Sequence, residues 1–433
     1  MIRIVRSGEF DPARAARNAA PAAVVSAVAE IVAEVAARGD TALREYTEKF
    51  DGCALDSFEL APSALDDALG EVGAGFLGIM ERAAKNIEEF HRRQIGQGFM
   101  MTRGEGVVLG QKVVPLERAG LYVPGGTAPY PSTVLMNCIP AKLAGVGEIV
   151  IATPPSKEGR VDAGILAAAK IAGADRVFTI GGAQAIAAMA FGTETVPRVD
   201  KITGPGNAYV AEAKRQVFGA VGIDMIAGPS DILVIADSGA DPSHVAADML
   251  SQCEHGEDSP AILVTDSDEL AKKVSAEIEL QIGALPREKM ARMAVDNYGK
   301  IIIAESLDQA FEISNAIAPE HLEVLLDDPL KYLGKVKNAG SVFLGKHAPE
   351  ALGDYYAGPN HTLPTSGTAR FSSPLSVNDF VKKTQYTYYT AEALRREAND
   401  VIRFAENEGL AAHAMSVRIR ASKRKIKIER QQG

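Results

Sequence analysis

From Gly120 onward, short apolar runs alternate with segments of helical length, and this alternation constrains the fold more than any other feature of the chain. Apolar runs of strand length lie at residues 121–123, 148–152, 176–180 and 231–235. The stretches with helical periodicity between them are residues 132–144, 163–172, 183–191 and 207–218. Continuous apolar strands separated by helices are what a buried parallel sheet requires. The pattern therefore predicts an α/β protein.

A second region of the same kind follows a helix that is predicted to begin at Ser243. Its apolar strands are predicted near residues 261–264, 300–303, 322–326 and 341–344. The chain before Gly120 is predicted to be helical, at residues 21–37 and 77–93. After Gly353, a segment rich in Gly, Pro and Ser extends to Pro374 and predicts a long functional loop. From Asn378 the chain is predicted to be helical to its end.

The composition favours a protein of more than one domain with a small-molecule partner. At 433 residues, with 46% hydrophobic and 24% charged residues, the chain can form two or more packed cores. Its formal net charge of -10 argues against a nucleic acid or an anionic membrane as the main partner. The basic end from Arg418 to Arg430 is either the solvated face of a last helix or an RNA-binding arm, and the first is favoured.

The N-terminus and the cysteines predict a cytoplasmic location. The opening residues Met-Ile-Arg-Ile-Val-Arg lack the apolar core and cleavage site of a signal peptide. No apolar run reaches the ~18 residues needed to span a bilayer. Cys53, Cys138 and Cys253 are an odd number without paired spacing, which suits a reducing cytosol better than a disulfide framework.

Gln252 and His255 stand three residues apart at the end of a predicted helix, so both side chains can reach one ion or one ligand. The alternative is an ordinary helix C-terminus, at which His255 interacts with the dipole and Gly256 supplies a left-handed cap. Asp354 in the glycine-rich loop and His413 on the C-terminal helix extend the pair to an oxygen and nitrogen ligand set that suits zinc. Spacing alone cannot establish ligands this scattered.

Two glycine-rich turns are candidate cofactor sites. One spans residues 122–126 after a strand, and the other, Gly204-Pro205-Gly206-Asn207, opens a helix. The exposed N–H groups of a helix N-terminus suit a phosphate, but the third glycine of the dinucleotide fingerprint is missing. Tight turns without a ligand are the alternative interpretation.

Glu320 and His321 place a carboxylate and an imidazole side by side just before a predicted strand. Adjacent residues of an extended segment point to opposite faces, so the two are predicted to serve different positions around a substrate. A proton acceptor and a separate water activator would be a reasonable division of work. A surface Glu-His pair without function is the alternative. Of the remaining histidines, only His361 is predicted to line the site.

Seven segments, in order along nearly the whole chain, resemble the histidinol dehydrogenase family. They are Gly120-Leu-Tyr-Val-Pro-Gly-Gly, Gly181-Gly-Ala-Gln-Ala, Asp200-Lys-Ile-Thr-Gly-Pro-Gly-Asn, Ala227-Gly-Pro-Ser230, Leu250-Ser-Gln-Cys-Glu-His255, Ala318-Pro-Glu-His-Leu and Ala357-Gly-Pro-Asn-His-Thr-Leu-Pro-Thr365. The resemblance implies an NAD-dependent enzyme with one zinc ion per subunit. Its implied reaction is the oxidation of L-histidinol through L-histidinaldehyde to L-histidine, the last steps of histidine biosynthesis.

The resemblance also implies roles for individual residues by motif position. The zinc ligands would be Gln252, His255, Asp354 and His413. Substrate would be contacted by the same four residues together with Ser230, His321 and Glu408, and NAD by Tyr122, Gln184 and Asn207. His321 would take the hydroxyl proton as hydride leaves, because a neutral imidazole can accept and release a proton near pH 7. Glu320 would activate the water that hydrates the aldehyde.

The fold implied by the resemblance is a pair of incomplete Rossmann-like parallel-sheet domains with small helical N- and C-terminal extensions. We predict an N-terminal extension at residues 1–20, a discontinuous α/β domain at 21–119 and 231–374, and an NAD-contacting α/β domain at 120–230. A helical segment at 375–433 would cross between the subunits of a homodimer, so that Glu408 and His413 complete the neighbour's site. No nucleic-acid or membrane partner is expected.

Two details and two alternatives remain open. Cys253 stands where a small apolar residue such as Ala is usual in the family; a packed small side chain is favoured over a group that sensitises the site to oxidation. Glu350 is a further candidate for contact with substrate or metal. One alternative function is a paralogous zinc and NAD dehydrogenase of another small alcohol, such as a sulfonated diol. The other is a non-catalytic zinc-binding dimer, against which the retention of both Glu320 and His321 argues.

Overall fold

The computed structural model describes residues 1–12, 20–125 and 129–422. The strands are β1 (Arg3–Arg6), β2 (Phe99–Thr102), β3 (Val107–Pro115), β4 (Arg118–Tyr122), β5 (Glu148–Thr153), β6 (Arg176–Thr179), β7 (Lys201–Thr203), β8 (Gly222–Ile223), β9 (Ile232–Ala236), β10 (Ala261–Thr265), β11 (Lys300–Ile303), β12 (His321–Leu325), β13 (Ser341–Leu344) and β14 (Val381–Tyr389). The α-helices are α1 (Ala22–Arg38), α2 (Asp40–Asp51), α3 (Ser63–Glu71), α4 (Ala74–Arg92), α5 (Pro131–Ala144), α6 (Ala163–Ala172), α7 (Gly182–Phe191), α8 (Ala208–Val217), α9 (Pro242–Cys253), α10 (Asp268–Ile282), α11 (Glu288–Tyr298), α12 (Leu307–Ile317), α13 (Glu350–Tyr355), α14 (Ala391–Asn407) and α15 (Ala411–Ala421).

The chain forms two compact units. The first comprises Met1–Ile95 and Leu116–Phe380, and the second comprises Gly96–Pro115 and the chain from Val381 onward. All strands of the first unit belong to two parallel sheets, whereas the second unit has one antiparallel sheet in the order β14-β3-β2 and a pair of contacting helices, α14 and α15. These architectures confirm the predicted α/β class.

The two parallel sheets repeat one topology. The five-stranded sheet has the order β6-β5-β4-β7-β8, and the six-stranded sheet has the order β1-β11-β10-β9-β12-β13. Numbered from β4 and from β9, both read 3-2-1-4-5, with β1 added at the edge of the second. This is the dinucleotide-binding strand order without its sixth strand. Each sheet is therefore an incomplete Rossmann-like sheet, as predicted.

The apolar strands are covered on both faces. Alternate residues of β4 and β5 enter two separate clusters, with Leu121 and Ile151 in one and Tyr122 and Val150 in the other. In the six-stranded sheet, Val234 and Leu233 divide in the same way. Because side chains alternate across a strand, a strand buried on both faces must be apolar throughout. This is why the apolar runs located the strands so closely.

Helices α1 to α4 pack on the five-stranded sheet. Helix α1 contacts α7 and α8, α3 contacts α6, and α4 contacts α5. Periodicity identifies the buried face of a helix but not the sheet that it covers. The proposed domains, with residues 21–119 and 231–374 in one and residues 120–230 in the other, therefore stay a prediction.

The strands and helices predicted between residues 121 and 344 are confirmed to within a few residues, as are α1 and α4. The helix predicted from Asn378 is wrong over Val381–Tyr389, which forms β14. Its Thr and Tyr residues favour a strand, and its partner β3 lies far away in sequence. The loop predicted after Gly353 is also partly helical, since Asp354 lies on α13.

Among the described residues, none of the helices combines the length and the apolar character that a membrane span requires. The basic end beyond Ser422 lies outside the described residues.

Candidate active site

A cleft of about 540 Å³ in the first unit is lined by residues from both parallel sheets. The five-stranded sheet contributes Tyr122 at the end of β4 and the turn Gly204–Asn207 after β7. The six-stranded sheet contributes Glu320 and His321 at the start of β12. Gln252 and His255 from the end of α9, and Asp354 from α13, complete the polar wall.

The topology of the five-stranded sheet explains the position of its cleft residues. In an open α/β sheet, ligands bind outside the carboxyl ends of the strands where the strand order reverses, and here that point lies between β4 and β7. In the six-stranded sheet, Glu320 and His321 reach the cleft from the amino ends of the strands. His321 pairs with Ile232 and Ser341 at the amino ends of β12, β9 and β13. The cleft therefore lies at the carboxyl edge of one sheet and the amino edge of the other.

The Gly204 turn requires glycine. Gly204 has a φ of +112°, and a Cβ atom there would lie 2.1 Å from the carbonyl oxygen of Tyr122. After the turn, the side-chain oxygen of Asn207 accepts hydrogen bonds from the backbone N–H groups of Tyr209 (3.0 Å) and Val210 (3.1 Å), which caps α8. The chain thus approaches β4 closely and then presents a helix N-terminus to the cleft.

The other two predicted NAD contacts differ in position. Tyr122 lines the cleft, and its hydroxyl oxygen accepts a hydrogen bond of 3.0 Å from the backbone N–H of Gly182 at the start of α7. Burial raises the pKa of Tyr122 to about 12, so the hydroxyl stays protonated. Gln184 is 1% exposed in the first turn of α7 and is not one of the residues that line the cleft.

Asp231 holds both Glu320 and His321 through different atoms. Its carboxylate accepts the backbone N–H of Glu320 (2.8 Å), and its own N–H donates to Oε2 of Glu320 (3.1 Å). Its carbonyl oxygen lies 2.9 Å from Nδ1 of His321. The closest ring-to-carboxylate approach, Nδ1 to Oε2, is 3.7 Å, which is too long for a hydrogen bond. As predicted, Glu320 and His321 are not a hydrogen-bonded pair.

The contact with Asp231 fixes the tautomer of His321. A carbonyl oxygen only accepts, so in the neutral ring Nδ1 carries the proton and Nε2 carries the lone pair. Within the described residues Nε2 has no hydrogen-bond partner; Oδ1 of Asp354 is 3.7 Å away and Oε1 of Glu350 is 3.9 Å away. In the neutral ring, Nε2 is thus the nitrogen that can accept a proton from a ligand in the cleft.

Three acidic side chains lie around His321. Burial acts to lower the pKa of His321, but the carboxylates of Glu320, Asp354 and Glu350 outweigh it and raise the pKa to about 10. Burial raises the pKa of Glu320 to about 8 and that of Glu350 to about 7. Burial would also raise the pKa of Asp354, but His321 and His361 hold it below its usual range. A site of this kind favours a bound cation.

Gln252 offers an unused amide to that site. Its side chain is fully buried, and neither amide atom has a hydrogen-bond partner among the described residues. An unpaired buried polar group costs about 1–3 kcal/mol, which a metal or ligand would relieve. His255 follows the helix, and solvent reaches its side chain through the cleft. Partial desolvation by the surrounding protein atoms lowers the pKa of His255, which favours the neutral form that binds metals. Oxygen and nitrogen donors of this kind fit zinc.

The acidic site includes a compact group of possible ligands. His321, Glu350 and Asp354 each offer an atom within 4.8 Å of the others.

The end of α9 differs from an ordinary glycine-capped helix end. Gly256 does not have a positive φ and supplies no left-handed cap, so the alternative interpretation is wrong in this detail. Cys253 is fully buried, and burial raises its pKa to about 12, so its thiol packs as a small apolar group.

The remaining predicted residues lie at two places. Ser230 and His361 line the cleft, and the ring of His361 donates from Nδ1 to the carbonyl oxygen of Asp354 (2.9 Å). Glu408 and His413 belong to the second unit, at the end of α14 and on α15, where both are exposed.

Sequence reasoning missed Asp231 and Glu323. The sequence predicts Asp231 only as the first residue of a strand, because its partners Glu320 and His321 lie far away along the chain. Glu323 sits in β12 with 1% exposure and accepts the backbone N–H of Glu350 at 2.7 Å. A single carboxylate inside a fully buried strand is the signal that could have identified it.

Two Rossmann-like sheets around a cleft with a glycine turn are typical of dinucleotide-binding enzymes, among which dehydrogenases are common. Comparison with known proteins specifies the family. The histidinol dehydrogenase family model matches residues 14–421. The histidinol dehydrogenase of Clostridium acetobutylicum is 50% identical over 97% of this chain and 99% of its own, and that of Geobacillus kaustophilus is 52% identical over 92% and 94%.

A solved structure agrees with the sequence relatives. The crystal structure of histidinol dehydrogenase from Elizabethkingia anophelis superposes with a TM-score of 0.91 at 38% identity, covering 97% of this chain and 98% of that one. The chain belongs to the histidinol dehydrogenase family, and it is therefore an oxidoreductase.

Proposed function

We propose that this protein oxidises L-histidinol through L-histidinaldehyde to L-histidine, as the last steps of histidine biosynthesis, with one zinc ion per subunit and two molecules of NAD in succession. The observation that carries the proposal is the environment of His321. Its Nε2 has no partner among the described residues and faces Asp354, while Asp231 holds Nδ1. Family membership supports histidinol as the substrate.

Zinc would be held by Gln252, His255 and Asp354, with His413 of the partner subunit as the fourth ligand. The unpartnered amide of Gln252 and the low pKa of Asp354 support this set. Bound zinc would act as a template that orients the nitrogen atoms of the substrate. A cation beside Asp354 would also offset the negative charge that raises the pKa of His321, so that the imidazole could be neutral near pH 7.

NAD would lie along the turn from Gly204 to Asn207, with contacts to Tyr122 and Asn207. Contact with Gln184, which is 1% exposed, would require this side chain to become accessible when NAD binds. The turn opens a helix N-terminus toward the cleft at the point where the strand order reverses, which is the usual place for a phosphate. NAD supplies the hydride acceptor for each oxidation.

The chain's own residues would manage the protons. His321 Nε2 would accept the hydroxyl proton in the first oxidation and a hydrate proton in the second, because Asp231 holds the ring in the required tautomer. Glu320 would take a proton from the water that adds to the aldehyde. Burial raises its pKa to about 8, so its ionised form is a stronger base than an exposed carboxylate. Ser230 would contact the substrate from the same cleft.

The enzyme would be a cytoplasmic homodimer. The second unit exposes large apolar side chains, including Phe99 (56%), Met100 (71%), Tyr388 (59%) and Phe404 (70%), as expected for a surface that another copy covers. Glu408 and His413 of the partner subunit would complete each active site, with Glu408 contacting the substrate.

His321→Asn tests whether the protein is an enzyme or a binding protein. The variant should keep zinc and histidinol binding, measured by metal analysis and calorimetry, but lose NAD reduction about 100-fold or more. Unchanged turnover in this variant, or no histidinol-dependent NADH formation by the wild type, would contradict the proposed function.

A further inference from the structure

A buried ion pair lies beneath the Gly204 turn. Lys214 on α8 and Asp224 after β8 have side chains that are each 1% exposed, and they contact each other through Nζ and Oδ1. Both groups also bind Gly204: Lys214 Nζ donates to its carbonyl oxygen (2.9 Å), and Asp224 Oδ2 accepts its N–H (2.8 Å). The pair thus holds both backbone polar groups of one residue.

Stability alone does not account for this pair. Removal of two charges from water is costly, and replacement of a buried ion pair by well-packed apolar residues often leaves stability unchanged or raises it. The position of Lys214 is also unusual, because it lies between Val210 and Val217 on the buried face of α8. Apolar side chains would fit the helical pattern better there. Among the described residues, the two side chains make their other hydrogen bonds with the backbone of Gly204 and of Met225.

Gly204 needs such support. Its φ of +112° and its close approach to the Tyr122 carbonyl set the direction in which the chain leaves β7. Pro205, Gly206 and Asn207, which follow, line the cleft. If Gly204 rotated, these backbone groups would no longer point to the same place.

We propose that Lys214 and Asp224 are a positioning pair that sets the affinity for NAD by fixing the Gly204 turn. The inference rests on the proposed use of NAD and on no other part of the mechanism. Asp224 itself lines the cleft, whereas Lys214 does not, so Lys214 acts through the carbonyl group of Gly204. Asp224 holds the N–H of the same residue.

The test uses two variants of the full-length zinc-loaded protein. Lys214→Met removes the donor to Gly204 and leaves Asp224 as an uncompensated buried charge, so both NAD affinity and the melting temperature should fall. Lys214→Met/Asp224→Asn removes both charges, so the melting temperature should recover while the dissociation constant for NAD, measured by calorimetry, stays about tenfold above the wild-type value. The dissociation constant for histidinol is the internal reference and should change less than that for NAD.

Lys201→Met is the matched control. Lys201 begins β7 at the edge of the sheet away from the turn, and its Nζ lies 3.0 Å from Asp379. Its loss should leave NAD affinity unchanged. Recovery of both stability and NAD affinity in the double variant would overturn the positioning role, and so would wild-type NAD affinity in Lys214→Met. If Lys214→Met does not fold, the double variant decides. Absence of NAD binding by the wild type would instead contradict the proposed cofactor.

Discussion

Asp231 lets two adjacent residues do different work. Its carboxylate and N–H hold Glu320, whereas its carbonyl oxygen holds the ring of His321. The imidazole therefore keeps one free nitrogen toward the cleft, and the carboxylate keeps a separate environment with a raised pKa. This separation assigns different steps of the reaction to the two side chains.

Glu320→Gln should impair the second oxidation more than the first. The amide cannot take a proton from water, so conversion of L-histidinaldehyde should fall about 100-fold or more, while oxidation of L-histidinol to the aldehyde should fall much less. His321→Asn should impair both. The measurement is NADH formation with each substrate supplied separately. Equal loss of both steps in Glu320→Gln would remove water activation from this residue.

Glu323 lies two residues after His321 in β12, and its burial lowers the stability of the fold at high pH. Burial, together with Asp248, raises the pKa of Glu323 to about 9. Its folded pKa lies above the ordinary value of 4.5, so the native state binds more protons than the unfolded state between these pH values. Stability contributed by the protonated form is present at acid pH and is lost as pH rises toward 9, with a slope of up to about 1.4 kcal/mol per pH unit.

Glu323→Gln should therefore stabilise the zinc-free protein at pH 8 more than at pH 5, because the amide has no charge to bury. Its side-chain oxygen can still accept the N–H of Glu350. Urea unfolding at both pH values measures the difference. Glu312→Gln, at an exposed position of α12, is the control. An equal effect of Glu323→Gln at both pH values would show that Glu323 is ionised throughout this range.

Among the elements, the turn after β7 is the most restricted. Gly204→Ala would place a methyl group 2.1 Å from the Tyr122 carbonyl oxygen at a positive φ. We expect a loss of stability of about 2 kcal/mol or more and a large loss of NAD affinity. Gly219→Ala separates the causes, since Gly219 has a φ of +105° with open space around it.

Gly219→Ala should cost about 1 kcal/mol from backbone strain alone and leave NAD binding unchanged. Thermal unfolding and NAD calorimetry of both variants provide the comparison. If Gly204→Ala and Gly219→Ala lost the same stability, the methyl group at Gly204 would meet no obstacle. That result would contradict the close approach of Gly204 to the Tyr122 carbonyl oxygen.

The sequence predicted those elements whose burial follows one regular pattern from end to end. Strands such as β9, buried on both faces, were located from apolar runs, and α5 to α9 from periodicity. Strand β14 was missed because its residues are mostly exposed and its stability depends on pairing with β3. Family motifs in the sequence predict candidate site residues, whereas Asp231, Lys214 and Asp224 make backbone contacts that no local pattern encodes.

At the scale of the whole molecule, the second unit decides whether one chain is sufficient for activity. Its exposed Glu408 and His413 are proposed to serve the partner's cleft. If so, His321→Asn and His413→Ala are inactive separately but complement each other after mixing, unfolding and refolding. A mixed dimer would contain one intact site, so activity should return to about a quarter of the wild-type level.

The control pairs His321→Asn with Gln252→Ala. Both residues line the same cleft of the first unit, so no mixed dimer would contain an intact site. Activity assays before and after refolding give the result. Failure of His321→Asn and His413→Ala to complement, with mixed dimers present, would mean that each chain completes its own site.

The proposed reaction is a four-electron oxidation at one metal-dependent site. It is tested by the amount of NADH formed per molecule of L-histidinol consumed to completion, with zinc-loaded protein and a chelated control. We expect two NADH per L-histidinol, with L-histidine as the product, and loss of activity without the metal. One NADH per substrate with free aldehyde as the product, or full activity in the chelated protein, would contradict it.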